Sequence, residues 1–468
     1  MLPVPASHSS RLKTKLIMTF RFCLLHFCVF AWVMASAQPL AAAERLYDVG
    51  IGRIDVTPDY PIRLTGYLVR KTESEGVAQR LWAKALAIAA TPAEPFVLIT
   101  VDNCGIPAAM REEVLRRLSN RGVVSERFAI AFSHTHSGPC VTGVLENIFA
   151  QDIPPAQKAT IDRYSRELTD KLEQVGRTAL GSLQPARLEW GIGQAGFAAN
   201  RRTPGGLVDH DLPILAVKSP TGVLRAILAN YACHCTTLAG ETNQLHGDWA
   251  GCAQQSIEAN HPGATALIAI GCGAECNPEP RTGINYAEQH GKTIAIEVDR
   301  LLRAGLKSIT GIPVGHARRI ELPFDRLPTR AEWEEKTKNA QVGIAYHARK
   351  NLARLDRGEK LPTHLPYLVQ AWSFGQDLAM VFLPGEVVGD YSLRLKREFD
   401  AKRMWVNGYS NDAPAYIPSR RVLALGGYEG GGAMVYYDQP TRFATEVEEL
   451  IVTAVRDVVP ATFLASRQ

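Results

Sequence analysis

The sequence predicts an α/β (mixed α+β) fold, with central mixed β-sheets, flanking helices and a metal site at strand ends. Three observations point there. Short apolar runs rich in β-branched residues alternate with longer amphipathic helical patterns. The residues capable of chemistry gather where the apolar runs stop, the usual place for α/β sites. The 468 residues are 46% hydrophobic and 21% charged, enough for a large core, with no low-complexity block and no sequence repeat.

The first segment in chain order is not expected to belong to the fold. Arg11, Lys13, Lys15 and Arg21 precede "FCLLHFCVFAWVMA" and then Ala35-Ser36-Ala37. A basic stretch, a short apolar core and small residues make a secretory signal peptide. The apolar stretch is short for a membrane span. Met18 as the start leaves a signal of ordinary length. Cleavage is expected after 37, or after 43 at a second site, Ala41-Ala42-Ala43; an uncleaved anchor is the alternative. The remaining 44–468 are read as a single catalytic domain, secreted or periplasmic. Residues 1–43 hold four basic and no acidic side chains, so their removal takes the formal charge from +5 to +1 (5 − 4). That balance gives no sign of a nucleic-acid partner. Seven cysteines remain: Cys104, Cys140, Cys233, Cys235, Cys252, Cys272 and Cys276. Their spacing fits no zinc ribbon, and the odd number leaves at least one thiol unpaired.

Strands are expected at 82–90, 95–102, 128–133, 223–232, 264–270 and 378–383. Helices are expected at 109–120, 156–180, 248–260, 285–304, 330–357, 387–399 and 443–458. The Pro- and Arg-containing stretch 310–330 reads as a link between subregions. Four strand ends carry the polar residues: "AIAFS" runs into "HTHSGP", "ILANYA" into "CHCTT", "ALIAI" into "GCGAECNP", and "MVFL" into "PGE".

His134 and His136, two residues apart on an extended strand end, point to one side of the backbone. His234 ends another apolar run, and Glu386 follows the break in "FLPGE". Each has a plain alternative: a hydrogen-bonded turn pair, a satisfied core histidine, an exposed loop carboxylate. Together, two imidazoles and a carboxylate are a catalytic zinc ligand set. Such a site acidifies a water and polarises a carbonyl.

Beyond these residues, the chain resembles the neutral (non-lysosomal) ceramidases, zinc-dependent amidases that release a fatty acid from the sphingoid base of ceramide. The matching pieces are "VGIGRIDVTP" (49–58), "LTGY" (64–67), "RLWAKALAI" (80–88), "SHTHSGP" (133–139), "NRRTP" (200–204), "CHCTTL" with a downstream "GDWAG", "LPGE" (383–386) and "AYIPS" with "GGYEGG" (415–431). The resemblance implies one zinc per chain, held by His134, His234, Glu386 and Tyr416. It makes His136 a hydrogen-bonding or acid/base group beside the substrate carbonyl, and Arg201, or its neighbour Arg202, a substrate-contacting cation. Tyr428 becomes an oxyanion donor, and Asp248 orients His234 or its loop. The implied substrate is ceramide or a related N-acyl lipid, with peripheral contact to membrane lipid and no obligate protein partner.

Two departures stand out. The family's active-site loop, G-D-x-S-P-N, carries a serine; here the stretch is Ala274-Glu275-Cys276-Asn277-Pro278, with Asn277 or Cys276 at the serine position. The chain also ends about where the family's C-terminal immunoglobulin-like domain begins. The loop is read as a wall that orients substrate through Glu275 and Asn277. Cys276 is a nucleophile only if its pKa is lowered; otherwise it is an inert buried thiol or is bonded to Cys272. The alternatives to the amidase are the same zinc scaffold acting as an esterase or hydrolase on a more polar substrate, and an inactive member that keeps its metal.

Overall fold

All six expected strands form, each within two residues of its expected ends, and they sit where burial on both sides demands continuous apolar runs. The computed structural model describes residues 45–91 and 94–465, besides residue 3. The signal-peptide reading falls outside these residues. A large sheet is built from β1 (Tyr47–Asp55), β2 (Trp82–Ala89), β3 (Phe96–Val101), β4 (Phe128–Phe132), β5 (Gln184–Gln194), β7 (Asp211–Lys218), β8 (Leu224–Tyr231) and β9 (Thr265–Ile270). β6 (Ala198–Asn200) pairs instead with β10 (Cys276–Pro278). The order across the sheet is β4-β3-β2-β1-β5-β7-β8-β9, with β11 (Lys307–Ser308) beside β5. A second sheet runs β12 (Pro313–Pro323), β13 (His364–Phe374), β14 (Leu378–Phe382) and β16 (Met404–Asn407). The short β15 (Glu386–Val387) lies parallel to β17 (Tyr416–Ile417).

One supersecondary unit is used three times without any repeat in sequence. Three antiparallel strands are followed by a helix and a fourth strand parallel to the third. The units are β1-β2-β3 with β4, β5-β7-β8 with β9, and β12-β13-β14 with β16. The intervening helices are Ala108–Leu118, Asp248–Asn260 and Gly389–Glu398.

The pleat sorts alternate residues into two cores. On β2, Ala83, Ala85 and Ala87 join the core beneath the helices, whereas Leu86 and Ile88 join a second core with Trp372, Phe382 and Trp405 of the smaller sheet. Phe96 meets Trp372 edge to face at 5.3 Å. The two sheets therefore stack face to face, and each of these large side chains contributes about 1.5–3 kcal/mol on burial. The helix Pro155–Gly181 lies against β1 because Gly50 leaves room; a Cβ there would stand 1.8 Å from the Ala179 carbonyl oxygen.

Two expectations need correction. The stretch 310–330 is no link: Pro313–Pro323 is the outer strand of the smaller sheet, paired among the described residues only with β13. Its exposed Arg318 and Arg319 and its terminal prolines are edge-strand chemistry, which weakens the strand signal. The helix expected at 330–357 is two, Arg330–Lys336 and Val342–Asp356. Between them Asn339 Oδ1 accepts the Gln341 N–H at 2.8 Å, a local turn that competes with the helix. Among the described residues no helix is long and apolar enough to cross a membrane.

Candidate metal centre

β4 delivers His134 in a left-handed backbone conformation (φ 56°), uncommon for a residue with a Cβ. Its Nδ1–H donates to the Cys104 carbonyl at 2.6 Å, which leaves the Nε2 lone pair facing inward. The end of β8 delivers His234, whose Nδ1–H donates to the Gly273 carbonyl at 3.0 Å. Trp249 Nε1–H donates to the His234 carbonyl at 2.9 Å. Asp248 accepts the backbone N–H groups of Thr237 and Leu238 and so fixes the loop after His234, as the resemblance implies. After β14 the chain turns at Gly385, where a Cβ would lie 2.6 Å from the Ala415 carbonyl oxygen. Glu386 then sits in register opposite Tyr416.

These three strand ends converge. Glu386 Oε2 lies 3.2 Å from His134 Nε2 and 2.8 Å from His234 Nε2, with all three side chains buried. Both imidazoles have their Nδ1 protons engaged elsewhere, and Glu386 Oε2 has no hydrogen-bond donor among the described residues. Three electron-pair donors that face one another in a buried site fit a divalent cation. Burial keeps His136 well below the usual histidine range and lowers His234 to about 4, so both lone pairs are free at neutral pH. For His134 burial also disfavours charge, but Cys104 and the Glu386 carboxylate prevail and raise it. A cation held there takes the place of that proton. Cys104, His134 and His136 form a second close group, but it has no carboxylate. Its His134 Nδ1 is already taken by the Cys104 carbonyl.

Around the trio, Tyr416 OH is 3.3 Å from His234 Nε2 and accepts from Arg201 Nη2 at 3.0 Å. Arg201 Nε also donates to Glu429 at 2.8 Å, and Arg202 pairs with the other Glu429 oxygen. His136 Nε2 is 3.1 Å from His134 Nε2. Gly66 permits this, since a Cβ there would lie 2.5 Å from the His136 ring. Tyr428 packs edge to face on Tyr416 at 5.3 Å and is 44% exposed. A cavity of about 750 Å³ opens over the cluster, with His136, Arg201, Tyr416, Tyr428 and Asn277 in its wall.

Glu275 and Cys276 are not in that wall, against the sequence-based reading. Glu275 is wholly buried, and both its carboxylate oxygens accept the Gly389 N–H that opens the helix Gly389–Glu398. Burial pushes its carboxyl up to about 7. The Cys276 thiol is buried on the opposite side of β10 from Asn277, and burial raises its pKa well above the ordinary thiol value, the reverse of an activated nucleophile. Cys272 and Cys276 are free thiols.

Sequence reading missed five participants. Tyr437 OH donates to Glu386 Oε1. Tyr409 packs at a tilt against His134 at 4.7 Å, Cys104 supplies the carbonyl noted above, Glu429 joins Arg201 to Arg202, and Arg281 lines the cavity. Of these only Glu429, inside "GGYEGG", had a nearby signal.

Residues 47–271 match the family described as "Neutral/alkaline non-lysosomal ceramidase, N-terminal". His134, His136 and His234 fall inside that match. The chain is 22% identical over 499 aligned positions to the neutral ceramidase of Pseudomonas aeruginosa, covering 88% of this chain and 72% of that one. It is 30% identical over 114 positions to the neutral ceramidase of Drosophila pseudoobscura pseudoobscura, 24% of this chain and 16% of the relative. The fold is similar to that of a structure described as "Ceramidase complexed with C2" (TM-score 0.68, 20% identity, 90% of this chain and 77% of that one). The crystal structure of the Pseudomonas aeruginosa neutral ceramidase gives a TM-score of 0.67 at 20% identity, covering 90% and 76%.

Proposed function

We propose that this chain, which belongs to the neutral/alkaline ceramidase family through residues 47–271, is a zinc-dependent amide hydrolase. The observation that carries the reading is the buried convergence of His134 Nε2, His234 Nε2 and the donorless Glu386 Oε2 beneath an open cavity. His134, His234 and Glu386 would hold a zinc ion, which would supply Lewis acidity to a substrate carbonyl and acidity to a water. The rest falls to the chain's own groups. Tyr416, accepting from Arg201, is left with its own hydroxyl proton to donate toward an acyl oxygen as negative charge develops. His136, kept neutral by burial, can take a proton from the attacking water and return it to the leaving nitrogen as the C–N bond breaks. No serine or thiol is required, because water adds directly to the acyl carbon.

A second reading concerns the substrate. Among the described residues Leu425 is the one aliphatic side chain in the cavity wall, where arginines, tyrosines, threonines and Asn277 dominate. That lining suits an amide with a polar body better than a long acyl chain.

Metal analysis and amide hydrolysis test the proposal together. About one zinc per chain is expected, lost with activity in Glu386→Ala. Activity that survives complete chelation would overturn it. Export is proposed from residues 1–43 alone, and a mature N-terminus at neither 38 nor 44 would count against it.

A further inference from the structure

The cavity wall holds more positive charge than hydrolysis of a neutral amide uses. Arg201 and Arg202 are both bound by Glu429, each taking one of its oxygens, so that carboxylate is fully committed. Arg281 lines the same cavity and has no hydrogen-bond or ion-pair partner among the described residues. Three guanidinium groups and one carboxylate thus line the same concave wall, an imbalance that concentrates positive potential. The backbone that carries Arg281 is fixed on both sides: Glu279 N–H donates to the Phe197 carbonyl and Thr282 N–H to the Thr237 carbonyl, both inside 2.8 Å. The backbone at Arg281 is therefore held beside the cavity, and its guanidinium has no hydrogen-bond partner among the described residues. Asn277, in the same wall, spends its side-chain oxygen on Thr236 and Arg201 at 3.4 Å each. Its amide N–H groups make no hydrogen bond among the described residues.

We infer that the cavity takes an amide whose polar end carries an anionic group, a carboxylate or a phosphate, and that Arg281 pairs with it. Both anions present two oxygens to the planar guanidinium fork, a match a neutral hydroxyl or ester cannot make. The inference rests on the reading of this cavity as the substrate site. It makes Arg281 a specificity-determining residue.

The test is a calorimetric titration of the zinc-loaded protein with three probes: N-benzoylglycine, its methyl ester and N-benzoyl phosphoethanolamine. Where a probe is turned over, kcat/KM replaces the binding constant. An anionic probe is expected to bind at least about tenfold tighter than the ester, with the gap narrowing as salt rises. The tighter of the two anions identifies carboxylate or phosphate as the recognised group. Arg281→Gln is expected to erase the gap and Arg281→Lys to keep part of it, with unfolding temperature and zinc content checked for each. An ester that binds as tightly as both anionic probes in the unaltered protein, or a gap that persists in Arg281→Gln, would overturn the inference. If the gap depends on Arg281 but no amide is hydrolysed, the amidase reading falls and the anion site stands. If amides are hydrolysed without a gap, the reverse holds.

Discussion

Two loops follow the outermost strands of the large sheet, and they serve the metal centre in opposite ways. After β4, residues 133–139 send side chains inward: His134 into the trio and His136 onto the cavity wall. After β9, residues 271–278 contribute mainly main-chain carbonyls. Gly273 O accepts from His234 Nδ1, Cys276 O accepts the His234 N–H at 3.0 Å, and Glu275 O accepts the Arg201 N–H at 2.8 Å. The first loop depends on residue identity, and the second on backbone path. Variation at Cys276, one of the two positions that align with the serine of the family loop, is tolerable on this view, because its carbonyl remains whatever the side chain.

The comparison can be broken or sharpened by four variants. The largest effect is expected for His134→Ala, which removes an imidazole from the trio. Bound zinc should disappear and amide hydrolysis fall by about 10³-fold or more. A variant that keeps both would remove the first loop from the site. Next is Gly66→Ala, whose Cβ would meet the His136 ring at a backbone φ of 90°. Hydrolysis should drop by about 10²-fold while zinc stays bound; unchanged turnover would show that His136 has no role in proton transfer.

The second loop should answer in stability rather than turnover. Glu275 has its folded-state pKa raised from the ordinary 4.5 to about 7. Its contribution is therefore fully present below about pH 4.5 and lost as pH rises through 7, up to about 3 kcal/mol. Denaturant unfolding of wild type minus Glu275→Gln should show that slope between pH 4.5 and 7, since the amide does not titrate. Parallel curves would mean the carboxyl is not held protonated by burial. The smallest effect belongs to Cys276→Ala: turnover within about threefold and a stability loss near 1 kcal/mol. Complete inactivation with zinc retained would return Cys276 to the chemistry.

What the sequence revealed follows from the range of its signals. Strands buried on both faces read as continuous apolar runs, so β2, β3, β4, β8, β9 and β14 were legible. β5 and β12 expose alternate residues and carry charges, so their period-two pattern was overlooked. His134, His136, His234 and Glu386 stood out because each lies just past an apolar run. Tyr416 emerged only through the family resemblance. Tyr437 lies 51 residues from the Glu386 it contacts, and no local pattern announces such a pairing. Glu275 was misassigned for a different reason: proximity in a loop does not tell which way a side chain turns. β10 supplies the rule after the fact, since alternation puts Asn277 toward the cavity and Cys276 behind it.

The thrice-used unit has a consequence for assembly. His134 comes from the first copy, His234 from the second and Glu386 from the third, while Tyr437 follows all of them. Bringing them together requires closing loops of a hundred residues and more, the kind of nonlocal contact that slows folding. Zinc uptake during refolding should then lag behind secondary-structure formation and report the last docking event, and no fragment holding two units should retain the ion. Once bound, the metal favours the assembled chain over every partly built form by mass action, tying the three units into one cooperative whole.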